Sequence, residues 1–500
     1  GEAMALVHDT LVTTRRAAGP AFDLVPDLAR RLPTPTDGGL TWTFEVRTNV
    51  RYSDGRLLQP EDFRRGMERL YSPRGVARGA FALHDFDAIT GTVACRATMV
   101  CRLDTGITTS SSTVSYHLSR PDPDFLHKLT MSFAAPAPAG MGPPEGTQKV
   151  PGTGPYRVRS FTPDGVTHAG SLVLERNPYF RQWSVAAKPQ GYADVIEWTG
   201  GPTRGGVVRL DQLTADVTDV RGATVLPLLA TRFPDRLQHD PQLGTHWAAL
   251  NTRSWPFSRR EARQAVAYAL DRAAIARFFG DTRTACQLPP PNFPGHLARC
   301  DYTRDPRPGN DQWRGPDLAR ARAIVARSPT RGAVVEVYLP AQDGGPALGR
   351  TLVRTLAAIG YVGRLHLVPE KDGYFKTTMD PGTPVDLSVA GWSVDYLTPS
   401  QMYLPMLGCD HSTPGGTGQF NVSRRCDPSS DQLMVAATAA QNSDPAQARA
   451  LERALTKRVN DDAALVPTDY WDRDTFVSTR VGNYQDNGLL GPLLEQIWVR

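Results

Sequence analysis

Five hundred residues are too many for one hydrophobic core, and length alone implies about three domains of ordinary size. With 40% hydrophobic and 21% charged residues the composition is that of a soluble globular chain; no window reaches the roughly 18 unbroken apolar residues of a membrane span, and no charged-then-apolar leader precedes Gly1, so the chain is expected either to be cytoplasmic or to have lost a leader. The net charge of +5 does not point to nucleic acid, because lysine occurs only at 128, 149, 188, 371, 376 and 457, and the arginines that make up the rest are interleaved with acids.

Residues 5 to 32 read as a short helix or strand (Leu6, Val7, Leu11, Val12), a turn, and a second, helix-like piece from Val25 to Leu32. Thr41 to Arg47 alternates large apolar with polar residues, the pattern of a half-buried strand, and Ser53-Asp54-Gly55 is a turn after it. Pro60 opens a helix with Phe63, Met67 and Leu70 on one face and Glu61 and Asp62 at its positive end. Phe86 to His117 reads as strands broken by a Thr/Ser run, and 134 to 155 as loop. The Gly152-Thr153-Gly154-Pro155-Tyr156 stretch reads as a turn feeding a strand, since no phosphate-binding glycine motif is complete.

In the middle third, His246 to Asn251 is an apolar strand, and Ser258 with Glu261 has the spacing of a capping box ahead of a helix bearing Ala262, Ala265, Val266 and Leu270. A helix follows Pro316. Val334 to Leu339, Ala347 to Ile359 and Tyr361 to Val368 then read as strand, helix and strand, an order that implies an α/β lobe with a right-handed crossover. Val385 to Ala390 extends that sheet. Asp444 and Pro445 start a further helix, and the chain closes with strand-like pieces at Leu465 to Val466 and Phe476 to Val477.

The cysteines fall as three close pairs, Cys95 with Cys101, Cys286 with Cys300, and Cys409 with Cys426. Only nearest-neighbour bridging avoids joining distant segments, and no CxxC or Cys/His cluster offers metal binding in its place. Three local disulfides and an oxidising, extracytoplasmic location are therefore expected, each loop contributing about 2 to 3 kcal/mol. No metal or cofactor site is expected; His8 and His411 could contribute only singly.

At Gly391-Trp392-Ser393-Val394-Asp395-Tyr396-Leu397-Thr398-Pro399 a buried run gives way to indole, hydroxyl and carboxylate groups. Two readings are open locally: a strand-to-loop junction with Trp392 in the core and Asp395 capping a turn, or one wall of a binding site. His246 and Trp247 likewise read as wall residues or as a packed strand.

Five blocks in order decide between these readings. They are Trp42 to Gly55 with the Pro60-Glu61-Asp62-Phe63 helix start, Gly152 to Tyr156 with Glu175-Arg176-Asn177-Pro178-Tyr179, Asn251 to Arg272, Gly391 to Pro399, and the helix after Asp444. Together they resemble the solute-binding proteins of peptide-type ABC importers, the oligopeptide, dipeptide and nickel binders of family 5. The resemblance implies an α/β, two-lobed periplasmic-binding-protein-like fold with an extra domain inserted in the first lobe. Its implied boundaries are 1–38, 152–240 and 470–500 for lobe 1, 39–151 for the inserted helper domain and 241–469 for lobe 2. It implies a receptor, not an enzyme, that encloses a short peptide or peptide-like ligand between its lobes and delivers it to permease subunits in the membrane. A monomer is implied, bound to the membrane by a lipid anchor upstream of Gly1.

Carried over by position, the resemblance points to Asp395 for a ligand's α-ammonium, Gly391 and Ser393 for main-chain hydrogen bonds, and Trp392 and Tyr396 as wall. His246, Trp247, Met4 and His8 join them as candidate lining. Two departures stand out: His8 replaces the usual aromatic residue, and Val389 stands where some oligopeptide binders carry an arginine for the ligand's carboxylate. The other ligand end is thus unassigned, and the same fold with a metal chelate, haem, oligosaccharide or secondary metabolite is the alternative. A secreted hydrolase is the alternative of a different class; the sequence has neither GxSxG nor HExxH to support it.

Overall fold

The computed structural model describes residues 2–71, 82–98, 100–141, 149–162, 170–199, 215–220, 225–280, 283–342, 344–369, 372–410, 420–441 and 443–500. They fall into two compact units, one of the described residues up to 199 with Ala215–Val217 and Val477–Arg500, the other of those within Thr218–Phe476. His411 lies outside the described residues.

In the first unit β1 (Val12–Thr14) pairs antiparallel with β2 (Leu24–Pro26), Val12 opposite Pro26. The helix expected over Val25 to Leu32 is not formed. Pro26 has no N–H to give a helix, and the chain after it continues pairing, Asp27 and Ala29 N–H to Leu11 O and Leu28 N–H to Thr10 O. The strands β3 (Thr41–Glu45), β4 (Ile107–Thr109) and β5 (Thr113–His117) make a sheet in the order β3-β5-β4. Its Trp42, Phe44, Val114 and Tyr116 share a core with Phe63, Met67 and Leu70 of the helix Glu61–Leu70. That helix starts where Asp62 Oδ2 accepts the Gln59 N–H at 2.8 Å and the Tyr52 hydroxyl at 3.0 Å.

Part of the segment read as strands is a helix, Thr92–Thr98. The Thr92 hydroxyl lies 2.9 Å from Phe86 O and 2.7 Å from Ile89 O at its start, and the Cys95–Cys101 disulfide closes its end. A third sheet joins β6 (Tyr156–Thr162), β7 (Ser171–Arg176) and β8 (Val195–Thr199) in chain order. A Cβ at Gly152 would stand 1.9 Å from Val7 O, so this glycine lets the loop main chain lie directly on residues 6 and 7.

The second unit is built on one six-stranded sheet in the order β12-β11-β13-β10-β14-β9. Its strands are β9 (Val217–Val220), β10 (Leu237–Leu250), β11 (Val334–Pro340), β12 (Val362–Val368), β13 (Leu387–Ser393) and β14 (Leu465–Val477). The helix Gly345–Ile359 crosses between the parallel β11 and β12 and stops at Gly360, whose φ of 101° a side chain would oppose. One face of the sheet packs Ala248, Leu250, Val335, Val337, Leu387 and Val389 against Ala265 and Val266 of the helix Arg260–Ala269 and Leu352 and Leu356 of the crossover helix.

The capping box is absent. The helix begins at Arg260, beyond Ser258, whose own N–H is turned back to Ser254 O at 2.6 Å. Asp444 does cap its helix, accepting the N–H groups of Ala446 and Gln447. The two C-terminal pieces expected as short strands are one strand of 13 residues. The six cysteines are joined as the three local pairs.

Candidate functional site

The site is built on the exit of β13. Antiparallel pairing sets Ser393 opposite Gly244, Trp392 opposite Thr245, Gly391 opposite His246 and Ala390 opposite Trp247. Val394 N–H donates to Leu243 O at 3.2 Å, making those two a hydrogen-bonded pair. In an antiparallel ladder such pairs alternate with non-hydrogen-bonded ones. Trp392 and Ala390 therefore turn their N–H and C=O toward β10, while Ser393, Gly391 and Val389 turn theirs to the opposite edge.

Among the described residues a strand covers that edge only at its start. β11 registers with β13 only where Val337 meets Leu387. Asp386 locks this junction: its N–H donates to Glu336 O at 3.0 Å and its Oδ2 accepts the Glu336 N–H at 2.9 Å. Past the junction the two strands part, and the hydroxyl of Tyr374 fills the opening. It accepts the Val389 N–H at 3.0 Å and lies 2.9 Å from Val389 O and 3.2 Å from Tyr338 O, one of which takes its proton. Burial raises this phenol's pKa, so it stays protonated and able to donate. Beyond Val389, the outward main-chain groups of Gly391 and Ser393 have no backbone partner among the described residues.

Gly391 is required by its partner across the ladder. Non-hydrogen-bonded pairs bring side chains closest, and a Cβ at Gly391 would stand 2.2 Å from His246 Cδ2. The imidazole is held in place on three sides. Its Nδ1 is 2.6 Å from the fully buried Asp469 Oδ2, its ring stacks on Phe279 at 3.6 Å, and Trp471 tilts against it at 5.1 Å. His246 is thus chiefly a packed residue beneath the edge. Trp247 points to the other sheet face and is buried; its indole N–H has no hydrogen-bond partner among the described residues.

Two residues past the open edge stands Asp395. It is exposed, yet desolvation by the surrounding protein raises its carboxyl above the ordinary aspartate range. No other side chain among the described residues acts on its charge by a hydrogen bond or ion pair. Trp392 is fixed by its Nε1–H, which donates to Gln401 O at 2.9 Å, and by Phe420 tilted against it at 5.4 Å. Tyr396 is buried beside them. Thr398 then caps the helix Pro399–Leu407 by accepting the Gln401 N–H, which ends the segment in a fixed direction.

The structure thus brings seven of the sequence-derived residues into one unit, Asp395, Gly391, Trp392, Ser393, Tyr396, His246 and Trp247. Met4 and His8 belong to the other unit. Met4 lies in the short helix Glu2–Ala5, packed against a cluster of Leu6, Val7, Tyr156 and Leu174. His8 donates its N–H to Met4 O at 2.8 Å, and burial lowers its imidazole to about 4, so it is neutral at physiological pH. Sequence reasoning missed Tyr374, Asp469 and Phe279. Nothing local marks them, since each acts on a segment more than ten residues away. Among the described residues no group of three or more histidines, cysteines and acids could hold a metal, and no helix is long and apolar enough to cross a membrane.

The family described as bacterial extracellular solute-binding proteins, family 5 Middle, matches residues 23–414. Among curated proteins, the chain is 23% identical over 474 residues to the periplasmic oligopeptide-binding protein OppA of Salmonella typhimurium, covering 89% of this chain and 79% of that protein. It is 24% identical over 479 residues to a probable di/tripeptide-binding protein 5 of Pseudomonas aeruginosa, covering 93% and 85%. Among solved structures, clavulanic acid biosynthesis oligopeptide binding protein 2 superposes with a TM-score of 0.82 at 22% identity, covering 99% of this chain and 90% of that one. The binding protein DppA from Helicobacter pylori, solved in complex with the peptide STSA, gives 0.73 at 18% identity, covering 100% and 94%. The fold is the mixed α/β, two-lobed one of these binding proteins, and the chain belongs to the bacterial extracellular solute-binding proteins of family 5.

Proposed function

We propose that this chain is the extracytoplasmic receptor of an ABC importer, which captures a short peptide or peptide-like molecule and hands it to the permease without catalysing a reaction. The observation that carries this reading is the edge of β13, where the outward main-chain donors and acceptors of Gly391 and Ser393 have no backbone partner among the described residues, two residues ahead of Asp395. An extended peptide satisfies such an edge by strand addition, which gives affinity without selecting side chains. Its α-ammonium is then a natural partner of a carboxylate that the surrounding protein partly desolvates. Trp392 and Tyr396 supply the apolar wall, with His246 fixing the strand beneath; Trp247, Met4 and His8 remain candidate lining. The names of relatives support a peptide, since they describe oligopeptide and di/tripeptide binders.

The same reading includes a monomer, a lipid anchor upstream of Gly1, and a helper domain at residues 39–151, the last supported by the separate β3-β5-β4 sheet.

Isothermal titration tests the ligand class. Trialanine with a free amino terminus binds the wild type, and N-acetylation of the peptide or Asp395→Asn weakens binding by about tenfold to a hundredfold, the scale of a charge-assisted hydrogen bond. Equal affinity of the Asn variant and wild type for the free-amine peptide rejects the role of Asp395. Native mass spectrometry of protein taken from its own host reports the mass of any trapped ligand, and a non-peptide mass rejects the peptide reading.

A further inference from the structure

The β13 edge is short, and one residue ends it. We infer that Tyr374 limits main-chain pairing to the first three residues of the ligand, so the site is built for a di- or tripeptide; this rests on the peptide reading proposed above.

In a strand-like ligand, alternate residues turn their main-chain groups toward the protein strand. With its ammonium at Asp395, a ligand running along β13 pairs its first residue with Ser393 and its third with Gly391. The next outward residue of β13 is Val389. Its N–H already donates to the Tyr374 hydroxyl, and its C=O lies 2.9 Å from the same oxygen. A fifth ligand residue therefore finds the Val389 N–H already used and its C=O covered by the phenol. The phenol ring also occupies the space between β11 and β13, with its hydroxyl 3.2 Å from Tyr338 O on the far side. Tyr374 is held by position as well as by hydrogen bonds: it opens the helix Tyr374–Met379 and packs on Tyr338, Val368 and Val385. Val389 itself is buried in the core and offers nothing to a ligand's carboxylate.

The test is titration of wild-type protein with alanine peptides of two to five residues, and with pentaalanine N-methylated at residue 3 or at residue 5. Affinity is expected to rise about tenfold from the dipeptide to the tripeptide, the scale of one added main-chain pair, and then to stay within about twofold to the pentapeptide. N-methylation at residue 3 costs about tenfold or more, and at residue 5 less than about twofold. In Tyr374→Ala, where the edge at Val389 is uncovered, pentaalanine gains over trialanine and becomes sensitive to methylation at residue 5. Should this variant not fold, the wild-type series stands alone. Wild-type affinity that climbs through the pentapeptide and falls on methylation at residue 5 overturns the length limit while leaving the peptide receptor intact. Failure of every free-amine peptide to bind overturns both.

Discussion

His246 and Gly391 face each other across the β10–β13 ladder so closely that the imidazole occupies the volume a Cβ would need, at 2.2 Å from its Cδ2. The glycine at the start of the binding edge is therefore set by a histidine on the neighbouring strand. Gly391→Ala is expected to cost about 1 to 3 kcal/mol in urea unfolding, the range for overpacking a site that cannot give way. His246 is pinned by Asp469 and Phe279, so its ring has nowhere to go. Combining Gly391→Ala with His246→Ala recovers part of that loss, and a double-mutant cycle showing simple additivity would refute the steric account.

If Asp395 holds the ligand's ammonium as proposed, peptide binding is expected to depend on pH through its carboxyl. Desolvation raises this carboxyl, so the folded protein protonates it at a higher pH than an ordinary aspartate. Only the ionised form pairs with an ammonium. Affinity for a free-amine peptide therefore declines on acidification, and the decline begins above the usual aspartate range near 4. The residual binding of Asp395→Asn lacks that decline; a variant with the same pH profile as wild type would place the titrating group elsewhere.

Glu452 gives the second unit a separate pH dependence, in stability. It is buried on the helix Pro445–Asp462, its Oε2 has no hydrogen-bond partner among the described residues, and desolvation raises it to about 7 against an opposing effect of Arg449. The folded state thus holds a proton that the unfolded chain has released. Its stabilising contribution is complete below the unfolded value of about 4.5 and is lost as pH rises through about 7. The slope in that window is at most about 1.4 kcal/mol per pH unit. Glu452→Gln flattens it in chemical denaturation followed from pH 5 to 8, and an unchanged slope would show that Glu452 is not the group responsible.

In the first unit, Arg16 and Glu495 tie the two ends of the chain together. Both side chains are buried, and Arg16 Nη2 donates to Glu495 Oε2 at 2.7 Å. Burial alone would raise the Glu495 carboxyl; the guanidinium overrides it and lowers the pKa. Glu495→Gln leaves a buried cation uncompensated and is expected to cost about 3 to 5 kcal/mol, whereas replacing both by Arg16→Met and Glu495→Leu costs far less. Thermal unfolding of the three proteins checks the order.

Segments governed by local chemistry were legible in the sequence. Asp444 and Pro445 start a helix by satisfying and omitting N–H groups at its first turn, and the strand-helix-strand run from Val334 to Val368 shows its periods plainly. Strand β14 was not legible beyond its ends, because Asp469, Asp472 and Asp474 break the apolar alternation. Each finds a cationic or imidazole partner from elsewhere in the chain: His246 for Asp469, Arg283 for Asp472 at 2.7 Å, and His239 for Asp474 at 2.8 Å. The capping box failed for the converse reason, since correct spacing does not fix where the turn before a helix ends. At the candidate site, the motif could name Gly391, Ser393 and Asp395 but not the direction of their main-chain groups. That direction follows from the pairing with Leu243, and the end of the edge from Tyr374; both contacts join distant parts of the sequence.

An uncovered strand edge is also a hazard, because it offers a template to the unfolded chains of its neighbours. Aggregation by edge-to-edge stacking needs a run of consecutive rungs, and here the hydroxyl of Tyr374 takes one side's rung while Asp395 places a charge at the other. What is left between them is too brief to seed a growing sheet. By this account the two residues that would measure a ligand are also the ones that shorten the exposed edge.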